Sequence, residues 1–399
     1  MSHNHNHHHQ QKGVLGLGKS APRRIHEITG SQVQSLLAKL QVLYHHLPHL
    51  ANLPLQELTS SEDYTAGEVL GGGKHVLQES SILCHLRRVG ALDVADDPDP
   101  DPDAISAATP LTAIEFGAGT GRLSERLQRS SRHRPTNHVL IDRQDFSPSQ
   151  CRDGAMRNRA NDGESILRIV GDIAEFDISK YCRRPDTGTN ERRDTCAVCL
   201  CMSKHLCGPA CDLAIATLGR VAPPSQRPPF AFATCCHYLC TWDSFAGRDY
   251  WVRLGLTEED FEVAITASQW YSLKGTSNHI DDSCVEEDVS ASVIGSLSRP
   301  DIQLTLGKAG AALEEYASQE HSPPSISSED FELTFSRGEK AKLGCTIKRL
   351  LDLTRAAKLQ ELGYDTELVK YTTWSIENRL LVGRVATNSG RRPRQYREK

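Results

Sequence analysis

The stretch Leu111 to Gly121, LTAIEFGAGTG, constrains the fold of this chain more than any other. Small and apolar residues alternate up to Phe116, and glycines follow at 117, 119 and 121. A short buried strand, a glycine turn and a helical pattern from Arg122 to Leu127 make the unit that meets a nucleotide-type ligand in a doubly wound sheet. The glycines let the backbone turn tightly and approach a ligand that any Cβ would push away. Asp142 closes the next apolar run, His138 to Ile141, 21 residues after Gly121. An acid at the end of that second strand can accept both hydroxyls of a ribose.

Two ligand classes use this layout. Dinucleotides want G-x-G-x-x-G, with a helix amino terminus facing a pyrophosphate. Here the spacing is G-x-G-x-G, and Glu115 precedes it where a phosphate would be repelled. Glycines at 117, 119 and 121 with acids at 115 and 142 suit S-adenosylmethionine, whose methionine end carries an ammonium and a sulfonium. The plain alternative is a glycine turn with no ligand.

The chain has 399 residues, enough for one large domain with an extension or for two domains. No apolar run approaches the roughly 20 residues of a membrane span. The amino terminus, HNHNHHHQQK, is polar and His-rich and does not resemble a secretory signal. Thirteen cysteines in such a chain point to a reducing compartment, cytosol or nucleus. A net charge of −5 does not advertise nucleic-acid binding, although a local basic face suffices for it. The stretch from Arg122 to Arg134 and the tail GRRPRQYREK are the candidates, each more often a solvated surface.

Residues 1–22 read as a disordered tail and 23–95 as a helical region. Within that region a stripe runs from Glu27 to Leu50 and a second helix from Lys74 to Val89. The acidic, proline-rich 96–110 reads as a linker. A methyltransferase-sized α/β unit is expected over 111–385, followed by a basic tail at 386–399. Its strand runs fall at 111–116, 138–142, 166–170, 196–202 and 230–234, which imply a mostly parallel sheet. An insertion at about 241–337 holds a strand-like piece, Phe261 to Ser268, and a flexible stretch, His321 to Asp330. A helix from Lys340 to Leu362 precedes a terminal hairpin-like pair, Thr366–Thr372 and Arg379–Val385. That pair fits a seven-stranded methyltransferase sheet better than a dehydrogenase.

Ligands in open α/β sheets bind beyond the carboxyl ends of the strands, where three features fall. Asp172, in GDIAEFD, can accept from an adenine amino group or simply cap a helix. Lys204 and His205 sit side by side after the fourth strand run. A ribose hydroxyl is a poor nucleophile, which an ammonium can assist and a neutral amine or imidazole can deprotonate. TCCHYLC, at the end of the fifth run, has two competing readings: an active-site wall with packed thiols and His237 facing the substrate, or a zinc site. Cys236, His237 and Cys240, with Cys207 or Cys211, are zinc-compatible donors, but no second C-x-x-C pair supports a metal.

EFGAGTG, LIDR, GDIAEFD, SKHLCGPACDLAI and TCCHYLC resemble the core motifs of the tRNA:m(4)X modification enzymes. KHVLQESSILCHL ahead of the core is similar too, as are GEKAKLGCTIKRLLDLTRAAKLQELGYDTELVKY and SIENRLLVG after it. The resemblance covers roughly residues 60–385. It implies a class I S-adenosylmethionine-dependent methyltransferase fold and 2′-O-methylation of nucleotide 4 in the tRNA acceptor stem. It further implies that Glu115, Gly117, Gly119, Gly121, Asp142 and Asp172 line the cofactor, with Lys204, His205 and His237 near the methyl acceptor. Two departures stand out. Family members usually begin with small zinc-binding modules, whereas nothing before Lys74 pairs Cys and His ligands, so an RNA-capture partner is one expectation. The family's CCHH also reads CCHY here, with Tyr238 in place of the second His. The competing readings are a methyltransferase of protein or small molecules, a non-catalytic RNA-binding protein on the same fold, and an NAD-dependent dehydrogenase.

Overall fold

A computed structural model of the chain describes residues 28–50, 52–61, 63–92, 110–130, 135–161, 163–182, 199–272, 299–319, 335–373 and 375–386. The expected amino-terminal tail, nearly all of the acidic linker, the stretch His321 to Asp330 and all but the first residue of the basic tail lie outside these residues.

Seven strands form one sheet: β1 (Leu111–Phe116), β2 (Thr136–Asp142), β3 (Ile166–Val170), β4 (Cys199–Cys207), β5 (Phe230–Cys235), β6 (Tyr364–Lys370) and β7 (Arg379–Val385). Their order is β3-β2-β1-β4-β5-β7-β6. The first five are parallel, and β7 lies antiparallel between β5 and β6. The central strands read as nearly unbroken apolar runs because helices cover both faces of the sheet. The order reverses between β1 and β4, so the crevice beyond their carboxyl ends is the topological switch point where such sheets bind ligands.

One face of the sheet, including Ile114, Phe116, Phe230 and Phe232, packs against α1 (Gly30–His46), α6 (Pro209–Gly219) and α10 (Arg337–Glu361). Added to that layer are α7 (Arg248–Arg253), α8 (Glu258–Ala267) and α9 (Arg299–Ser318) from the expected insertion. The other face, including Leu200, Met202, Ala231 and Ala233, packs against α2 (Ala66–Arg88) and α3 (Arg122–Ser130). Two short helices, α4 (Asp153–Arg159) and α5 (Ser179–Cys182), flank β3. No helix among the described residues is long and apolar enough to cross a membrane.

Three expectations need correction. Phe261 to Ser268 is not strand-like: it forms most of α8, which starts on a capping box between Thr257 and Asp260. The second helix begins at Ala66 rather than Lys74, because the Thr65–Glu68 capping box anchors it ahead of a glycine run that propensity alone counts against. The fourth strand does not end at 202. It continues to Cys207, so Lys204 and His205 belong to β4 itself, beside a register shift between Ser203 and Leu206. Such an irregularity re-aims side chains at a strand end.

Candidate functional site

The glycine loop, the ends of β2 and β4, and one face of α2 enclose a cavity of about 430 Å3. Its lining includes Glu115, Gly117, Gly119, Asp142, Lys204 and His205, six of the nine residues singled out in the sequence. The cavity also takes in His75, Glu79, Arg122 and Phe146.

The loop is shaped by its glycines. Gly117, Gly119 and Gly121 all have positive φ. A Cβ on Gly117 would stand 2.9 Å from the carbonyl oxygen of His205, and one on Gly121 would stand 2.7 Å from a Leu140 methyl. Gly119 has open space where its Cβ would be, so only backbone faces the cavity there. The amide of Gly119 donates to Asp142 Oδ2 at 2.8 Å, and the Gln144 amide donates to Oδ1 at 2.9 Å, which fixes the carboxylate at the end of β2. Glu115 is buried, and its Oε2 accepts from the amide and hydroxyl of Ser124, at 3.0 and 2.6 Å. Burial pushes its carboxyl up to about 7 despite those bonds.

Lys204 and Glu79 form the cavity's second pole. Lys204 Nζ donates to Glu79 Oε1 at 2.8 Å and to the His75 carbonyl at 3.3 Å. His75 Nδ1 lies 3.4 Å from the same nitrogen. His75 and Glu79 are one turn apart on α2, so both face the end of β4. Glu79 is also held by Arg126 Nε at 3.3 Å. Burial lowers the Lys204 pKa, against the pull of Glu79. Desolvation together with the Lys204 charge lowers the pKa of both His75 and His205, which favours neutral imidazoles. The sequence reading missed His75 and Glu79. Their spacing before an apolar stripe, in KHVLQESSIL, is the signal that places them on the sheet side of a helix.

Gly121, Asp172 and His237 do not line the cavity. Gly121 shapes the loop from behind. Asp172 caps a short 3-10 turn, with Oδ1 accepting from the Ala174 amide at 2.9 Å, and its neighbour Ile173 reaches the cavity instead. His237 is fully buried, its Nε2 2.9 Å from Asp352 Oδ1. That carboxylate also accepts from Thr234 Oγ1 at 2.8 Å and Arg355 Nη1 at 2.9 Å, with Arg379 Nε at 3.4 Å. Arg355 in turn grips Asp212, at 2.7 and 2.9 Å, and reaches Cys240 Sγ at 3.0 Å. His237 therefore belongs to a buried charge network that ties β5 to α10 and α6.

The seven-stranded order with its antiparallel seventh strand, the glycine loop and the acid ending β2 define the class I methyltransferase fold. The profile of the family described as Methyltransferase TRM13 matches residues 77–384, so the chain belongs to that family. It is 22% identical over 304 residues to the "tRNA:m(4)X modification enzyme TRM13" of Schizosaccharomyces pombe, covering 75% of this chain and 64% of that one. It is 24% identical to the Yarrowia lipolytica protein of the same name, covering 76% of this chain and 57% of that one. The human "tRNA:m(4)X modification enzyme TRM13 homolog" is 24% identical over 351 residues, covering 77% of this chain and 64% of its own. The chain thus spans 57% to 64% of the length of these relatives.

Proposed function

We propose that this chain transfers a methyl group from S-adenosylmethionine to a ribose 2′-hydroxyl of tRNA, at nucleotide 4 of the acceptor stem. The observation that carries the reading is one cavity lined both by the glycine loop with two carboxylates and by a buried Lys–Glu pair. The names of the family relatives, and the resemblance of SKHLCG and TCCHYLC, support tRNA as the substrate and position 4 as the target.

The residues fit the cofactor. Asp142 stands where ribose hydroxyls are accepted, Gly117 and Gly119 admit close approach, and Glu115 offers a buried negative partner for an ammonium. When bound, S-adenosylmethionine supplies an electrophilic methyl group on a sulfonium. The chain's own part is to prepare the hydroxyl. Lys204 rests as an ammonium paired with Glu79, and burial eases loss of its proton to solvent; the neutral amine so formed accepts the hydroxyl proton as the oxygen attacks, and Glu79 again holds the ammonium that results. His205, exposed, and His75, half-buried, line the same cavity, and their lowered pKa values favour neutral rings beside the incoming sugar. The substrate enters beside Arg122 and Arg143, which line the same cavity and can meet its phosphates.

Glu115 makes cofactor binding pH-dependent. Its carboxyl titrates near 7 in the folded chain, above the ordinary carboxylate value, so the free fold holds this proton more tightly than the unfolded chain does. That contribution to stability is complete below about pH 4.5 and fades as pH rises through 7. An ammonium beside Glu115 favours the ionised form, so binding releases the proton. Affinity for S-adenosylmethionine is expected to rise by up to about tenfold per pH unit between 5 and 7 and to level off above. Heat-stability titration checks this: S-adenosylmethionine raises the melting temperature more at pH 8 than at pH 6, and NAD raises it at neither. An equal response to NAD would remove the cofactor assignment.

A further inference from the structure

Three thiols converge beside the cavity, whose wall includes Cys207, and the methyl-transfer reading does not use them. Cys207 ends β4, Cys235 ends β5, and Cys236 follows directly. Their sulfur atoms all lie within 4.8 Å of one another, with Cys207 Sγ and Cys235 Sγ 3.2 Å apart.

The backbone gathers them by two devices. Cys207 and Cys235 are register partners on adjacent parallel strands, so their side chains stand side by side on one face. Successive residues of a strand point to opposite faces, which would send Cys236 away from both. Cys236 instead adopts a left-handed conformation, φ 47 and ψ 46, and among the described residues no other non-glycine has positive φ. L-residues avoid that region, and here it turns the third sulfur back onto the first two. Gly208 locks the arrangement: its amide reaches the Cys235 carbonyl at 3.4 Å, and a Cβ there would stand 2.5 Å from Leu239 Cβ.

We propose that Cys207, Cys235 and Cys236 bind a thiophilic metal ion, with zinc as the fitting case. In a tetrahedral zinc site the Zn–S bond is about 2.3 Å, which puts sulfurs about 3.8 Å apart, so three thiolates already within 4.8 Å close on the ion with small shifts. Three sulfurs leave one tetrahedral position for water or a further donor. A disulfide would use two of the three and give the turn at Cys236 no purpose. Cys207 is exposed and lines the cavity, which gives the ion a path in. The ligand set differs from the Cys236, His237 and Cys240 combination in the sequence, because His237 is bonded to Asp352 and Cys240 to Arg355. The ion would tie the ends of β4 and β5 together three residues beyond Lys204, steadying the strand end that carries it.

The test uses the full chain, reduced, stripped with a chelator and titrated anaerobically with Co2+. A sulfur-to-cobalt charge-transfer band is expected, saturating at one equivalent and bleached by one equivalent of Zn2+. The His-rich amino terminus can bind cobalt but cannot give that band. Cys207→Ser and Cys236→Ser should each remove most of the band while the circular dichroism stays unchanged. Cys151→Ser, which changes a thiol outside the cluster, should leave it intact. Cobalt uptake without the band, or a band that survives both cluster substitutions, would overturn the proposal. Neither result depends on methyl transfer.

Discussion

Lys204→Ala is expected to lower methyl-transfer turnover about 100- to 10,000-fold, the usual worth of a positioned general base. Its effect on stability should be small. The alanine removes a buried cation, and Glu79 keeps Arg126 at 3.3 Å and Arg122 at 3.7 Å, so no carboxylate is stranded. Lys204→Arg sharpens the test. A guanidinium stays charged in a protein and cannot accept a proton, so arginine should restore almost nothing if Lys204 acts as the base. If Lys204 served only as a fixed cation, arginine would recover a large part of the rate. Single-turnover rates with saturating cofactor, read beside melting temperatures, separate the two. Near wild-type turnover in a folded Lys204→Ala would end the assignment.

The largest expected effect on stability comes from Asp352→Ala. This carboxylate is fully buried and meets His237, Thr234, Arg355 and Arg379 at once. Removing it leaves two buried guanidiniums short of a counter-charge, which costs about 3–5 kcal/mol. Denaturant unfolding should show that loss as a lower midpoint with an unchanged slope. The network also sets an acid limit. Despite its burial, His237 and then Arg355 and Arg379 hold Asp352 well below the ordinary carboxylate range, and Lys348 and Arg379 bring Glu377 down to about 2. Both groups are held below their unfolded values. Their stabilisation is therefore present above about pH 4 and is lost as pH falls below it. Asp352→Ala should flatten that acid limb. A variant that unfolds at the wild-type midpoint would show that the network is not what ties β5 to α10.

The glycine-loop half of the cavity was legible because local sequence sets it. A strand, a glycine turn and an acid at the next strand's end are neighbours in the chain as well as in space, and Glu115, Gly117, Gly119 and Asp142 all reach the cavity. The half around Lys204 was legible only in part. Lys204 and His205 were found by their unusual adjacency, but the strand that carries them ran longer than its apolar pattern. The reason is that a register shift, which leaves no mark in composition, continues β4 past Ser203. Glu79 is 125 residues from Lys204 and sits on a helix where a glutamate normally reads as surface. Only the packing of α2 across the sheet makes it a buried partner. Asp352 was hidden for the same reason, since a carboxylate inside a long amphipathic helix gives no sign of three cationic or polar neighbours from other elements. The misread helix α8 was more avoidable. Its β-branched residues imitate a strand, yet Thr257 and Asp260 spell a capping box just before them.

Methyl transfer to tRNA is best tested by incubating the full chain with tritiated S-adenosylmethionine and total tRNA and mapping any labelled nucleotide. Label is expected on the ribose of nucleotide 4 in the acceptor stem, lost in Lys204→Ala. Cofactor binding with no label in any tRNA, or label on a base rather than a ribose, would contradict it.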